Sequence, residues 1–181
     1  MLLSKIIKTL EEWCPTNDAE EFDNVGLLIG DQESYIHKAI ITLDITEDVI
    51  NECISCDANL IISFHPLFIV DSKTEKIDER VNNYILKCLK YDINVYCIHT
   101  NLDNNKKGTS YQLGKIIKLK DQKILIKTQD NIHKGMGSIG FMDRPMSDYN
   151  FLNFLKEKFN LNYLRHSHLL NKKIKKVALV A

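Results

Sequence analysis

Residues 60–66 read Leu60-Ile-Ile-Ser-Phe-His65-Pro66. An apolar run leads straight into a histidine, and the proline after it removes a backbone donor from any further ladder. A short unbroken apolar run closed by a turn signal reads as a strand buried on both faces of a parallel sheet. His65 then stands at the strand's carboxyl end, where open α/β sheets bind their ligands. A second run, Ile93-Asn-Val-Tyr-Cys-Ile98, ends the same way in His99-Thr-Asn-Leu-Asp103. One histidine at a strand end is more often structural. Two at one sheet edge, with a carboxylate four residues past the second, point to a metal site at His65, His99 and Asp103. Mixed imidazole and carboxylate donors suit Zn, Fe, Mn or Co.

Outward from these strands the chain alternates. Leu2, Leu3, Ile6, Ile7, Leu10 and Trp13 recur at helical spacing, and Pro15 ends that helix. Residues 18–30 form a loop leading into a short apolar segment. A strand at Ala39–Asp44 is followed by a helix that Thr46 can cap, with Glu47 and Asp48 in its first turn and Val49, Ile50, Cys53 and Ile54 facing inward. Asp44 either orients a ligating imidazole or is merely a turn residue. Past a polar connection at 71–77, Asp78 caps a helix burying Val81, Tyr84, Ile85, Cys88 and Leu89. The strand at 93–98 then closes a βαβαβ unit, which implies a largely parallel sheet with right-handed crossovers.

Gly108 and Thr109 open a short helix through Ile117, and the character changes after residue 120. Strands are expected at Lys123–Lys127 and Met136–Met142, with a polar link at 128–135 between them. Ser147 caps a helix packing Phe151, Leu152, Leu155 and Phe159. Strands near Tyr163 and over Lys176–Ala181 follow. The last strand stops in mid-run. The expected organisation is therefore an N-terminal α/β domain over 1–120 carrying the histidines, and the start of a second α/β half over 121–181 that is truncated at the C-terminus.

The 181 residues can bury one good core, or one and a half small domains. No apolar stretch approaches membrane-spanning length, and the amphipathic start is unlike a secretion signal, so we expect a cytoplasmic protein. The five cysteines (Cys14, Cys53, Cys56, Cys88 and Cys97) fall mostly on core faces, which favours reduced, packed thiols. Cys53-x-x-Cys56 lies within a helical pattern and lacks a second pair to complete a zinc site. Net charge is zero but segregated: residues 1–60 hold 13 acids and three bases, residues 106–181 16 bases and five acids. With few arginine or aromatic companions, the lysines read as a solvated or subunit-pairing surface, and nucleic acid is set aside as a partner.

Gly135-Met-Gly137-Ser-Ile-Gly140 matches the G-x-G-x-x-G pattern, but a polar link precedes it and strand-like residues and Pro145 follow. A dinucleotide fingerprint needs a strand before it and a helix after, so that function is rejected. His166-Ser-His168 share one face if extended, yet no acid or cysteine stands near to complete a site.

The stretches Glu21-Phe-Asp-Asn-Val-Gly-Leu27, Ile62-Ser-Phe-His65-Pro-Leu-Phe68, His99-Thr-Asn-Leu-Asp103, Gly135–Gly140 and Lys175-Lys-Val-Ala178 resemble, in order, those of the NIF-three-like dinuclear-metal family, often labelled GTP cyclohydrolase I type 2. The resemblance implies α/β protomers in a toroidal homohexamer, each with two divalent ions. It makes His65 a ligand of one ion, Asp103 a ligand of one or both, and His99 a ligand or near neighbour. It also implies a metal-dependent hydrolase acting on a nucleotide or phosphoester, a small-molecule substrate. The alternative is a non-catalytic, metal-binding interaction or regulatory protein. The family pattern has two consecutive histidines where this chain has Phe64-His65, and the inserted domain of longer relatives is missing between Leu125 and Gly135. Its C-terminal His, with a Glu four residues on, has no match here, so fewer than two ions per chain are expected.

Overall fold

The apolar run at 60–63 forms the central strand of a sheet because every neighbour can bury one of its faces. Leu60 and Ile61 are fully buried on opposite sides. The computed structural model describes residues 1–69, 78–128 and 134–181. They fall into two compact units, Met1–Leu102 and Asp103–Ala181.

The first unit runs α1 (Leu3–Trp13), a single 3-10 turn, β1 (Gly26–Ile29), β2 (Ala39–Thr42), α2 (Glu47–Ser55), β3 (Leu60–Ser63), α3 (Glu79–Lys90) and β4 (Asn94–Cys97). A short helix, α4 (Thr100–Asp103), then carries the chain across the boundary between units. The sheet order is β1-β4-β3-β2. β2, β3 and β4 are parallel, with Leu60 opposite both Ala39 and Asn94. β1 is antiparallel to β4, Gly26 facing Cys97. Ile61 and Val95 pack with Ile50 and Cys53 of α2 and Cys88 of α3. Leu60 and Tyr96 pack on the other face with Leu3 and Ile7 of α1. The expected caps form: Val49 N donates to Thr46 Oγ1 at 3.3 Å and Arg80 N to Asp78 Oδ1 at 2.8 Å. Two residues expected inside are exposed, Trp13 at the end of α1 and Leu89 near the end of α3. Both sit in a last turn, where the helix is leaving the sheet.

The second unit runs α5 (Thr109–Ile116), β5 (Lys120–Lys127), β6 (Gly135–Ser147), α6 (Asp148–Lys158) and β7 (Lys173–Leu179). Its sheet, β5-β6-β7, is wholly antiparallel, so the parallel character expected of the chain belongs to the first unit. Phe151, Phe154 and Leu155 of α6, with Phe159 just after it, cover Ile117, Leu119, Met142 and Val177. The division between units precedes the one expected at residue 120, because α5 packs on β6 and β7. Gly135–Gly140 is strand throughout, in keeping with the rejected dinucleotide reading. A Cβ at Gly135, whose φ is 151°, would lie 2.1 Å from Ile126 O. The connection expected at 71–77, and residues 129–133 of the link expected at 128–135, lie outside the described residues.

No strand forms near Tyr163. The Asp148 carboxylate accepts the Asn171 N–H at 2.7 Å and Asp148 N donates to Lys172 O. Residues 162–172 are thereby fastened to the start of α6 instead of entering a ladder. Among the described residues, no helix is long and apolar enough to cross a membrane.

Ile61 and Ile41 share a sheet but not an environment. Ile61→Ala should cost about 2–5 kcal/mol. Ile41→Ala, on a residue 81% exposed at the β2 edge, should cost under about 0.5 kcal/mol. Urea denaturation of the two variants measures the contrast.

Candidate metal centre

Parallel strands put their carboxyl ends on one edge, and each of the three contributes a residue there. Asp44 follows β2, His65 follows β3 and His99 follows β4. The ladder extends past the strands to fix them: His65 N donates to Leu43 O at 2.9 Å and Ile98 N to Ser63 O at 2.9 Å. Cys97 supports the turn from beneath, its Sγ donating to Phe64 O at 3.2 Å. β1 runs the other way, so its amino end reaches this same edge and brings Asp23 with it.

Each histidine meets one carboxylate. His65 Nδ1 lies 2.7 Å from Asp44 Oδ1, and His99 Nδ1 lies 2.9 and 3.0 Å from the two Asp23 oxygens. A carboxylate can only accept, so Nδ1 is the donor in both rings, and in the neutral imidazole Nε2 then holds the lone pair. Among the described residues, neither Nε2 makes a hydrogen bond. The rings themselves are neighbours, with centroids 5.5 Å apart at 80°. Phe64 packs against both, 5.0 Å from His65 and 5.3 Å from His99. Phe64 thus acts as an apolar wall for the two imidazoles.

The two pairs differ in burial. Asp44 and His65 side chains are 60% and 44% exposed, whereas those of Asp23 and His99 are 0% and 17% exposed. Burial alone would raise the Asp23 pKa. Hydrogen bonds from the Thr100 hydroxyl, His99, and the backbone N–H groups of Thr100 and Asn24 outweigh it and hold the carboxyl below its ordinary 3.8. Thr100 also accepts from Glu20 N at 2.9 Å. Asn101, fully buried, accepts from His99 N and donates to Cys14 O, each at 2.9 Å. The Thr-Asn between His99 and the end of α4 therefore locks the histidine backbone onto residues 14–24.

Asp103 opens the second unit and accepts a short hydrogen bond from the Thr109 hydroxyl. It is the last residue of α4, four residues after His99 in the sequence. His166 and His168 are exposed and lie in the segment without regular structure. His166 Nδ1 turns to Ser167 O at 2.7 Å, so the shared strand face expected of them does not form. All five cysteines are free. Burial pushes Cys53 up to about 11, and its Sγ donates to Ala58 O at 3.2 Å, a packed thiol rather than a redox or zinc ligand. Among the described residues, no three His, Cys, Asp or Glu side chains are grouped as a ready metal cage. The chain instead offers two oriented imidazoles, a donor set that fits a first-row divalent ion.

Asp23, Thr100 and Asn101 escaped the sequence reading. Only the antiparallel direction of β1 brings Asp23 to the histidines, and a four-residue apolar segment does not announce its direction. The signal was the polar pair Thr100-Asn101 at a strand end with no solvent role.

The lowered Asp23 pKa fixes the sign of a pH effect. The unfolded chain binds this proton more readily, so the stabilisation is present above the ordinary 3.8 and is lost as pH falls through the lower folded value. Asp23→Asn should cost about 1–3 kcal/mol at pH 7. The gap to wild type should narrow on acidification toward pH 3, as followed by urea denaturation at each pH.

The family model described as Duf34/NIF3 (NGG1p interacting factor 3) matches residues 1–181. A Clostridium perfringens protein named "GTP cyclohydrolase 1 type 2 homolog" is 36% identical over 180 residues, covering 99% of this chain and 69% of that protein. A Clostridium acetobutylicum protein of the same name is 32% identical over 172 residues, covering 94% and 64%. The crystal structure of a Staphylococcus aureus hypothetical protein superposes with a TM-score of 0.88 at 29% identity, covering 99% of this chain and 71% of that one. On the match along its whole length, the chain belongs to the Duf34/NIF3 family.

Proposed function

We propose that the chain binds a divalent metal ion through Nε2 of His65 and of His99, with Asp103 as a further ligand, and that the ion serves a hydrolytic reaction. The observation that carries this reading is the doubled carboxylate–imidazole pair. A histidine serving only the fold has no need of a second carboxylate partner one ring away. A ligating histidine does, because a carboxylate on Nδ1 fixes the tautomer, aims the ring and raises the basicity of Nε2. Asp103 enters through its spacing from His99 and the family pattern. Its Thr109 bond would fix one carboxylate oxygen and leave the other to coordinate.

A bound ion would lower the pKa of a coordinated water and polarise a substrate oxygen. The chain's own part is positional. Asp23 and Asp44 hold the protons on Nδ1, Phe64 limits water on one side of the rings, and Asn101 keeps the His99 backbone in place. The names of the two Clostridium relatives support a nucleotide substrate, and assembly as a homohexamer is proposed on the family resemblance of the sequence motifs alone.

Elemental analysis after dialysis against a mild chelator tests the binding step. Wild type should retain one of Zn, Fe, Mn or Co per chain, and His65→Ala, His99→Ala and Asp103→Ala should each weaken retention by roughly 10–100-fold. Retention unchanged in all three variants would overturn the site. Metal-dependent hydrolysis of GTP or of a phosphoester panel, stopped by His65→Ala, supports the enzyme. Inertness of metal-loaded protein supports the interaction-protein reading instead.

A further inference from the structure

We propose that the second unit carries a binding pocket for a phosphoryl group, built by Lys106, Lys107 and Lys123 beside Asp103. A cavity of about 160 Å³ opens between the segment 103–111, on one side, and β5 and β6 on the other. That is about ten times the room a single water requires, enough for a phosphoryl group with part of its hydration shell. Lys106 and Lys107 line one wall and Lys123 the other, and among the described residues none of the three is in an ion pair. Three lysines lining one concavity bring it positive charge that no ion pair among the described residues offsets. A dianion bound there would relieve the repulsion between these like charges and accept charge-assisted hydrogen bonds from them.

The base of the pocket is organised for the same ligand. Ser138, almost fully buried, donates its hydroxyl proton to Gln122 Oε1 at 2.9 Å. This fixes the Gln122 amide with its nitrogen, a donor, still without a hydrogen bond among the described residues. The amide packs directly on α5, where a Cβ on Gly114 would come within 2.0 Å of Gln122 Oε1. The surrounding field has the matching sign, since residues 103–181 hold 16 Lys and Arg against six Asp and Glu. The small concave shape suits a small phosphorylated molecule better than the open track that a nucleic-acid backbone needs.

Among the described residues, Asp103 is the one acid lining the pocket. As a bare carboxylate it would oppose an anion. As a metal ligand its charge is offset, and an ion on it could share a phosphoryl oxygen. That the phosphoryl group is a substrate's therefore rests on the metal reading above, whereas the lysine pocket itself does not.

Equilibrium dialysis of the 181-residue chain with phenyl phosphate, and with phenol as the uncharged control, tests the proposal, before and after chelator treatment. Phenyl phosphate should be retained and phenol not. The variant Lys106→Gln/Lys107→Gln/Lys123→Gln should weaken retention roughly tenfold or more while its metal content stays at the wild-type value. Equal retention of phenyl phosphate by wild type and the triple variant would overturn the pocket, as would equal retention of phenol. Lysine-dependent retention by a chain that holds no metal keeps the pocket and removes only the metal reading. Single-stranded RNA that displaces phenyl phosphate at equal phosphate concentration, in a lysine-dependent way, would overturn the small-molecule assignment.

Discussion

A carboxylate with no exposed surface sits where three parallel strands end, and the geometry around it follows from satisfying its charge. Asp23 takes the Thr100 hydroxyl and N–H, the Asn24 N–H and the imidazole N–H of His99. A buried charge left short of partners would be strongly destabilising. The loop before β1 and the turn after β4 are therefore bound to one conformation together. His99 cannot turn away without stranding Asp23, and Asn101 removes the remaining freedom by tying His99 N to Cys14 O. His65 needs less: its backbone continues the β2–β3 ladder, and Asp44 meets it in a partly solvated setting. The arrangement is one rigid imidazole and one more accessible imidazole, their ring planes nearly perpendicular.

Much of this was legible in the chain. The apolar runs at 60–63 and 93–98, unbroken by polar alternation, could only be strands covered on both faces, and Leu60, Ile61, Val95 and Tyr96 are buried on both. Histidines directly after such runs had to stand at the sheet's carboxyl edge. The Asp44 carboxylate, left open between an orienting and a turn role, lies at hydrogen-bond distance from His65 Nδ1. What could not be read was direction and long-range register. β1 is too short for its pairing to be inferred, so Asp23 stayed hidden 76 residues from the ring it holds. The residues near Tyr163 have strand-like composition but enter no ladder, because Asp148 captures the Asn171 N–H first.

Charge segregation has a structural counterpart. The acids are concentrated in the unit whose sheet edge carries the histidines, and most of the lysines in the unit that holds the small cavity. The segregation read from composition as a solvated or subunit-pairing surface thus follows the division of the chain into two units.

The central claim is that carboxylates hold both imidazoles as Nδ1–H tautomers with Nε2 facing a metal ion. Long-range proton–nitrogen NMR on chain labelled with ¹⁵N in its histidine rings reads this directly. In metal-free protein above pH 7, the His65 and His99 signals should show protonated Nδ1 and bare Nε2. On titration with Zn²⁺, only their Nε2 resonances should move to the metal-bound range. A protonated Nε2 at either residue, or Zn²⁺ shifts confined to other histidines, would contradict the account.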